Sequence, residues 1–143
     1  MALTQTLCTV FKTNLLSGLE NFNTGTIYTY KLALYTAAAP LNANTLTYTV
    51  EGEITGVGYT PGGKVLTPTV PASSNGAAYV TFADVTWSPA QFTTSGALVY
   101  NSTTGAAVAV LNFGASKVVA PPYTNFKVVF PTATATTAII RLS

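Results

Sequence analysis

YVTFADVTWSPAQFTTSGALVYNSTTGAAVAVLNFG, residues Tyr79 to Gly114, is the stretch whose reading decides the fold. Its opening alternates: Tyr79, Thr81, Ala83, Val85 and Trp87 fall on one side of an extended chain, and Val80, Phe82, Asp84 and Thr86 on the other. Ser88-Pro89 ends this strand, since proline cannot donate to a sheet ladder. Ala97 to Tyr100 make a second strand, turned by Asn101-Ser102-Thr103-Thr104-Gly105. Ala106 to Phe113 are nearly all apolar, the pattern of a strand covered on both faces. The three strands predict Phe82, Trp87, Leu98, Val108, Val110 and Phe113 as packing residues. Asp84, set between Phe82 and Trp87, reads as a buried acceptor for loop amides or Thr hydroxyls, because a buried carboxylate needs partners.

Further strands are expected on both sides of this block. Ile27 to Thr36 places Tyr28, Tyr30, Leu32 and Leu34 on one apolar face. A short helical turn is expected at Asn42 to Thr47, and two short strands around Pro61-Gly62-Gly63. Pro68 and Pro71 mark an edge or loop, and Ser73-Ser74-Asn75-Gly76 a turn. Phe126 to Phe130 and Ala138 to Leu142 supply the last two strands. At the other end, Leu3, Leu7, Phe11, Leu15, Leu19 and Phe22 recur at helical spacing, widened by Val10 and Leu16. This predicts a helix from about Leu3 to Glu20, packed on a sheet and stopped near Asn21 to Gly25, with Gly18 a weak point inside it. The whole, residues 1–143, reads as a single mainly β domain: an antiparallel β-sandwich, jelly-roll or immunoglobulin-like, with an N-terminal α-helix.

Composition narrows the function. Of 143 residues 48% are hydrophobic, enough for a real core, yet only 7% are charged. A typical soluble domain carries about 25% charged residues. A surface of Thr, Asn, Ser, Gly and Ala repels its own copies weakly, which suits packing against other proteins and equally suits a neutral extracellular module. The basic residues Lys12, Lys31, Lys64, Lys117, Lys127 and Arg141 are scattered, so the net +2 charge forms no nucleic-acid footprint. No apolar run reaches the ~18 residues of a membrane span, and the start of the chain lacks a basic leader, so assembly in the cytoplasm is expected.

Candidate chemistry is sparse. The chain has no His, removing the commonest general base and metal ligand. Cys8, alone, reads as a small buried hydrophobe. Glu51 and Glu53 share a strand face at i, i+2, suiting a carboxylate pair or a cation but equally a solvated edge. Gly58-Tyr59-Thr60-Pro61-Gly62-Gly63-Lys64 approaches a phosphate loop, but Val65 stands where a hydroxyl must hold magnesium, and Pro68 stops any helix; it reads as a turn. Asn101-Ser102-Thr103 fits a glycosylation acceptor, relevant only in a secreted eukaryotic protein. No catalytic, cofactor-binding or metal residue is assigned. Exposed Tyr28, Tyr30, Tyr59, Tyr123 and Trp87 would suit a module that stacks on cell-surface carbohydrate, although most alternate as core residues do.

Cys8, Phe11-Lys12, Leu15-Leu16, Asn21-Phe22, KLALYT (31–36), EITGVGYTPGGKVL (53–66), FADVTWSPAQFTTSGALVYNS (82–102), AVAVLNFG (107–114) and AIIRLS (138–143) together resemble a small virion structural protein family of tailed bacteriophages. The likeness runs in order along nearly the whole chain and departs within NFNTGTIYTYKLALYT (21–36), in the segment preceding KLALYT, and at KVVAPPYTNF (117–126). It implies a non-enzymatic β building block of the particle, without cofactor, nucleic-acid or membrane partner. The expected role is capsid decoration: a homo-oligomer bound to the major capsid protein of the assembled shell. A neck, tail or fibre-anchoring protein is the alternative within the same class.

Overall fold

In a computed structural model, residues 3–23, 25, 27–122 and 124–143 are described. The architecture is mainly β and antiparallel throughout, with one short N-terminal helix, as the alternation predicts. In chain order the elements are β1 (Thr6–Leu7), α1 (Thr9–Leu16), β2 (Tyr30–Tyr35), β3 (Lys64–Leu66), β4 (Ala72–Ser74), β5 (Ala77–Val80), β6 (Val85–Trp87), β7 (Phe92–Asn101), β8 (Ala107–Val119), β9 (Phe126–Val128) and β10 (Ile140–Leu142). A five-stranded sheet has the order β1-β8-β7-β2-β3; smaller sheets have the orders β10-β5-β4 and β6-β9.

The centre of the large sheet is β2, β7 and β8. Tyr30, Leu32 and Leu34 share one face with their partners Asn101, Val99 and Ala97, and all six are buried. The opposite face carries Ala33, Tyr35, Leu98 and Val110, buried as well. Two-sided burial is why β8 reads as an apolar run, and it extends to β2, whose sequence predicts a single apolar face. Rings from the segments flanking the smaller sheets gather on the Tyr30 side: Phe22 stacks on Tyr30 at 4.5 Å, Phe82 lies 6.5 Å from Tyr30, and Phe82 meets Phe130 at 5.5 Å. Phe92 of β7 meets Phe126 of β9 at 5.5 Å. The other side is covered by the segment after β2, where Tyr48 stacks on Tyr100 at 4.8 Å and the Tyr35 hydroxyl donates to the Thr49 carbonyl. Backbones approach closely where glycines stand. A Cβ on Gly63 (φ +78°) would lie 1.8 Å from the Leu32 carbonyl oxygen, so only glycine fits beside β2.

Three expectations change. The helix occupies Thr9–Leu16 rather than 3–20. Residues before it are drawn into the sheet, with Thr6 opposite Val110 and Leu7 opposite Ala109, because β8 offers open ladder partners at its edge. At the other end Gly18, at φ +74°, closes a Schellman cap: its amide donates to Leu15 O (3.3 Å) and Leu19 donates to Asn14 O (2.8 Å). Leu16 and Leu19, placed on the apolar stripe, are 91% and 51% exposed.

Second, Tyr79 to Trp87 is two strands, not one. β5 pairs with β4 and β10, whereas β6 pairs with β9. Val80, Thr81 and Phe82 are all buried, so strict alternation fails there and the chain changes ladders. Third, of the two strands expected around Pro61-Gly62-Gly63, only β3 forms; upstream there are single bridges, Tyr35 to Glu53 and Val57 to Gln91. Asn42 to Thr45 is a turn closed by Thr45 N to Asn42 O at 3.0 Å. Asn75-Gly76, with φ of +49° and +78°, is the two-residue hairpin turn between β4 and β5.

Candidate functional site

The most distinctive polar group in the interior is Glu20, which follows the helix cap. Tyr30, the first residue of β2, pairs with Asn101, the last of β7, so their side chains emerge together at one end of the sheet. Both converge on Glu20: the Tyr30 hydroxyl donates to Oε2 at 2.7 Å and Asn101 Nδ2 at 3.3 Å. The Tyr30 oxygen in turn accepts the Asn21 amide at 3.1 Å. Asn101 Oδ1 accepts the Thr103 amide at 3.0 Å and the Thr104 amide at 3.3 Å, holding the turn into β8. Burial raises the Glu20 carboxyl above its ordinary value, opposed by hydrogen bonds from the Tyr30, Asn101 and Asn14 side chains. Burial, and then the bond to Glu20, raise the Tyr30 hydroxyl.

A cleft of about 220 Å³ opens beside Glu20, between the end of α1 and the β5–β10 pair. Leu15, Phe22, Val80, Ile140 and Leu142 make most of its wall. This combination, an apolar cleft with a buried carboxylate on its lining, was not legible in the sequence. Glu20 stands there only as the last residue of the expected helix, and nothing local links it to Tyr30 and Asn101, respectively ten and 81 positions away.

Of the acidic residues singled out from sequence, Glu51 and Glu53 do not act as a pair. A turn carries the chain from Val50 to Glu53 (Glu53 N to Val50 O, 3.2 Å), so the two do not alternate along a strand. Glu51 is exposed, whereas Glu53 accepts the Tyr48 hydroxyl at 2.7 Å and the Gly62 amide at 2.9 Å. Tyr100 closes the same turn by donating to the Gly62 carbonyl at 2.6 Å. Burial raises the Tyr48, Tyr59 and Tyr100 hydroxyls, and the neighbouring Glu53 charge adds to each. Asp84 is exposed rather than buried, because the chain between β5 and β6 turns it outward. It nevertheless accepts a loop amide, Phe130 N at 3.1 Å, and pairs with Lys127 at 3.3 Å.

The remaining candidates take structural positions. Lys64 donates to Thr86 O at 2.7 Å and lies 5.8 Å from the Trp87 ring, so its ammonium is committed to β6. Asn101 is fully buried, which removes it as a glycosylation acceptor. Cys8 is buried, as expected, and its thiol is pushed up to about 11 by burial. Tyr30, Tyr59 and Trp87 are packed inside and offer no stacking platform; Tyr28 is half-buried, and Tyr123 lies outside the described residues. Phe113 is partly rather than fully buried. No family model, curated protein or solved structure matches the chain.

Proposed function

We propose that this chain is a non-enzymatic structural protein of a tailed-phage particle, and specifically a decoration or cementing protein that binds the assembled capsid shell. The observation that carries the reading is the surface. Leu16, Ile27, Val50 and Val118 are each 70% or more exposed on a chain with only six basic and four acidic residues. Exposed apolar side chains with few charges among them are the composition of a face that other proteins cover. The resemblance of blocks 31–36, 53–66, 82–102 and 107–114 to phage virion proteins supports the same class. The carboxylates are consistent with it: Glu20, Glu53 and Asp84 each accept hydrogen bonds from their own fold.

Imaging the intact particle by electron cryomicroscopy tests this. Density for the chain repeated over the outer capsid surface is the expected result. Density confined to the neck, tail or fibres replaces decoration with the alternative role, and a particle without the chain overturns the virion reading.

A further inference from the structure

Of the chain's asparagines only Asn75 is followed by glycine. The pair is the tip of the β4–β5 hairpin, where both residues are exposed. Asn75, at φ +49°, is the one non-glycine residue with positive φ among the described residues. Among those residues no hydrogen bond holds the Asn75 side chain or the Gly76 amide. A Cβ built on Gly76 would meet nothing within 4 Å, so the space beside this peptide bond is open. The arm leading into the turn is weakly held: β4 is exposed at all three residues and pairs with β5 alone. An element with so little burial opens locally far more easily than the core. The other asparagines differ. Asn101 is fully buried, with both ends of its amide bonded. Asn112 is held by the Leu3 carbonyl and the Gly114 amide, and Asn125 by Ser88; each precedes a phenylalanine.

We propose that Asn75-Gly76 is a modification site, at which the folded chain deamidates spontaneously. The Gly76 nitrogen attacks Asn75 Cγ, a C–N bond forms, and the amide proton passes to water. The Cγ–Nδ2 bond breaks, and Nδ2 takes a proton from water and leaves as ammonia. One water then opens the five-membered succinimide at either carbonyl. One opening gives Asp; the other gives an isoaspartyl residue, whose main chain runs through Cβ and Cγ. Glycine matters because a side chain at position 76 would crowd the attacking nitrogen. The nitrogen reaches Cγ only when this peptide swings out of its turn, which opening of β4 permits. Either product adds a carboxylate, so six basic residues face five acidic ones and the net charge falls from +2 to +1. The isoaspartyl product also lengthens the main chain by one atom, which a two-residue hairpin connection does not accommodate. β4 then detaches while β5 keeps its partner β10. Nothing in this chemistry depends on the virion reading.

The test is to age the full chain near neutral pH at physiological temperature, with a synthetic peptide of residues 72–79 aged alongside. Isoelectric focusing and peptide mass mapping follow both. One more acidic species is expected, with the amide replaced by an acid at Asn75 and at no other asparagine, forming more slowly than in the peptide. Asn75→Gln, whose longer side chain must close a six-membered ring, should lose this species. Asn75→Asp should focus with it from the start, which identifies the species even if Asn75→Gln does not fold. Tyr30→Phe, which weakens the core outside the hairpin, should leave the rate unchanged, because the opening is local. An Asn75 that stays intact while the peptide converts overturns the proposal, as does faster conversion at another asparagine. So does an acceleration in Tyr30→Phe of about fivefold or more, in step with its lost stability, which would place the reaction in the unfolded chain.

Discussion

Glu20 shows how one side chain couples folding to pH. Its folded-state carboxyl titrates above the ordinary 4.5, with burial the principal cause. The folded chain therefore keeps this proton at pH values where the unfolded chain has released it, and the sign follows from linkage. Below pH 4.5 both states are protonated and the group carries no penalty; as pH rises from there through the raised folded value, stability falls. Urea midpoints of the native chain should drop over that interval relative to Glu20→Gln, and parallel profiles would refute the assignment. Tyr30→Phe, which deletes the 2.7 Å donor to the carboxylate, should cost about 1–3 kcal/mol at pH 7 and less near pH 4.5. Cys8 offers an independent check at the same scale. With its thiol buried and pushed up to about 11, it should resist a maleimide in the folded chain and react once the chain is unfolded in urea. Rapid labelling of the native protein would contradict the burial.

At the scale of elements, the decisive contacts are backbone against backbone. Gly63 lies where a Cβ would come within 1.8 Å of the Leu32 carbonyl, at a φ of +78° that side chains rarely adopt. Gly63→Ala should therefore cost about 2 kcal/mol or more, from strain plus overpacking, read as a lower Tm. Gly105→Ala, equally at positive φ (+84°) but with open space around it, should cost less. Equal losses would mean that the approach to β2 does not matter. The same scale shows what could be read in advance. The apolar run Ala107 to Val110 declared a strand buried on both faces, because two-sided burial leaves a mark in every residue, whereas Leu32 to Leu34 read as a strand with one apolar face although Ala33 and Tyr35 on the other are equally buried. The turn at Ser88-Pro89 was legible because proline acts locally. The helix length was not. Leu3, Phe11 and Phe22 are buried whether the chain before Cys8 is helical or extended, so their spacing fitted a helix that the open edge of β8 prevents. Gly18 held the missing information, as a C-cap rather than a weak interior position. The break between β5 and β6 depends on partners about forty positions away, at Phe126 to Phe130, which no local pattern encodes.

For the whole molecule, the proportion of apolar to charged surface separates folding from assembly. Leu16, Val50, Val118 and Val129 are each at least two-thirds exposed, so replacing any of them with Lys removes little packing and should change stability by less than about 0.5 kcal/mol. If the chain cements a shell, its effect must come from binding the assembled lattice better than the dissociated subunits, since a ligand of equal affinity for both shifts nothing. Added at a hundredfold excess over its dissociation constant, it should stabilise each occupied site of a shell that lacks it by about 2.7 kcal/mol. The shell's disruption temperature should then rise with protein concentration, while free capsid subunits show no binding. Of the four Lys variants, those on the contacting face should fold as the native chain does and yet lose the effect on the shell. The variants on the outer face should retain it. That pattern would map the cementing surface, whereas four unaltered variants, or equal binding to subunits and shell, would remove the decoration reading while leaving the fold and the Glu20 cleft as described.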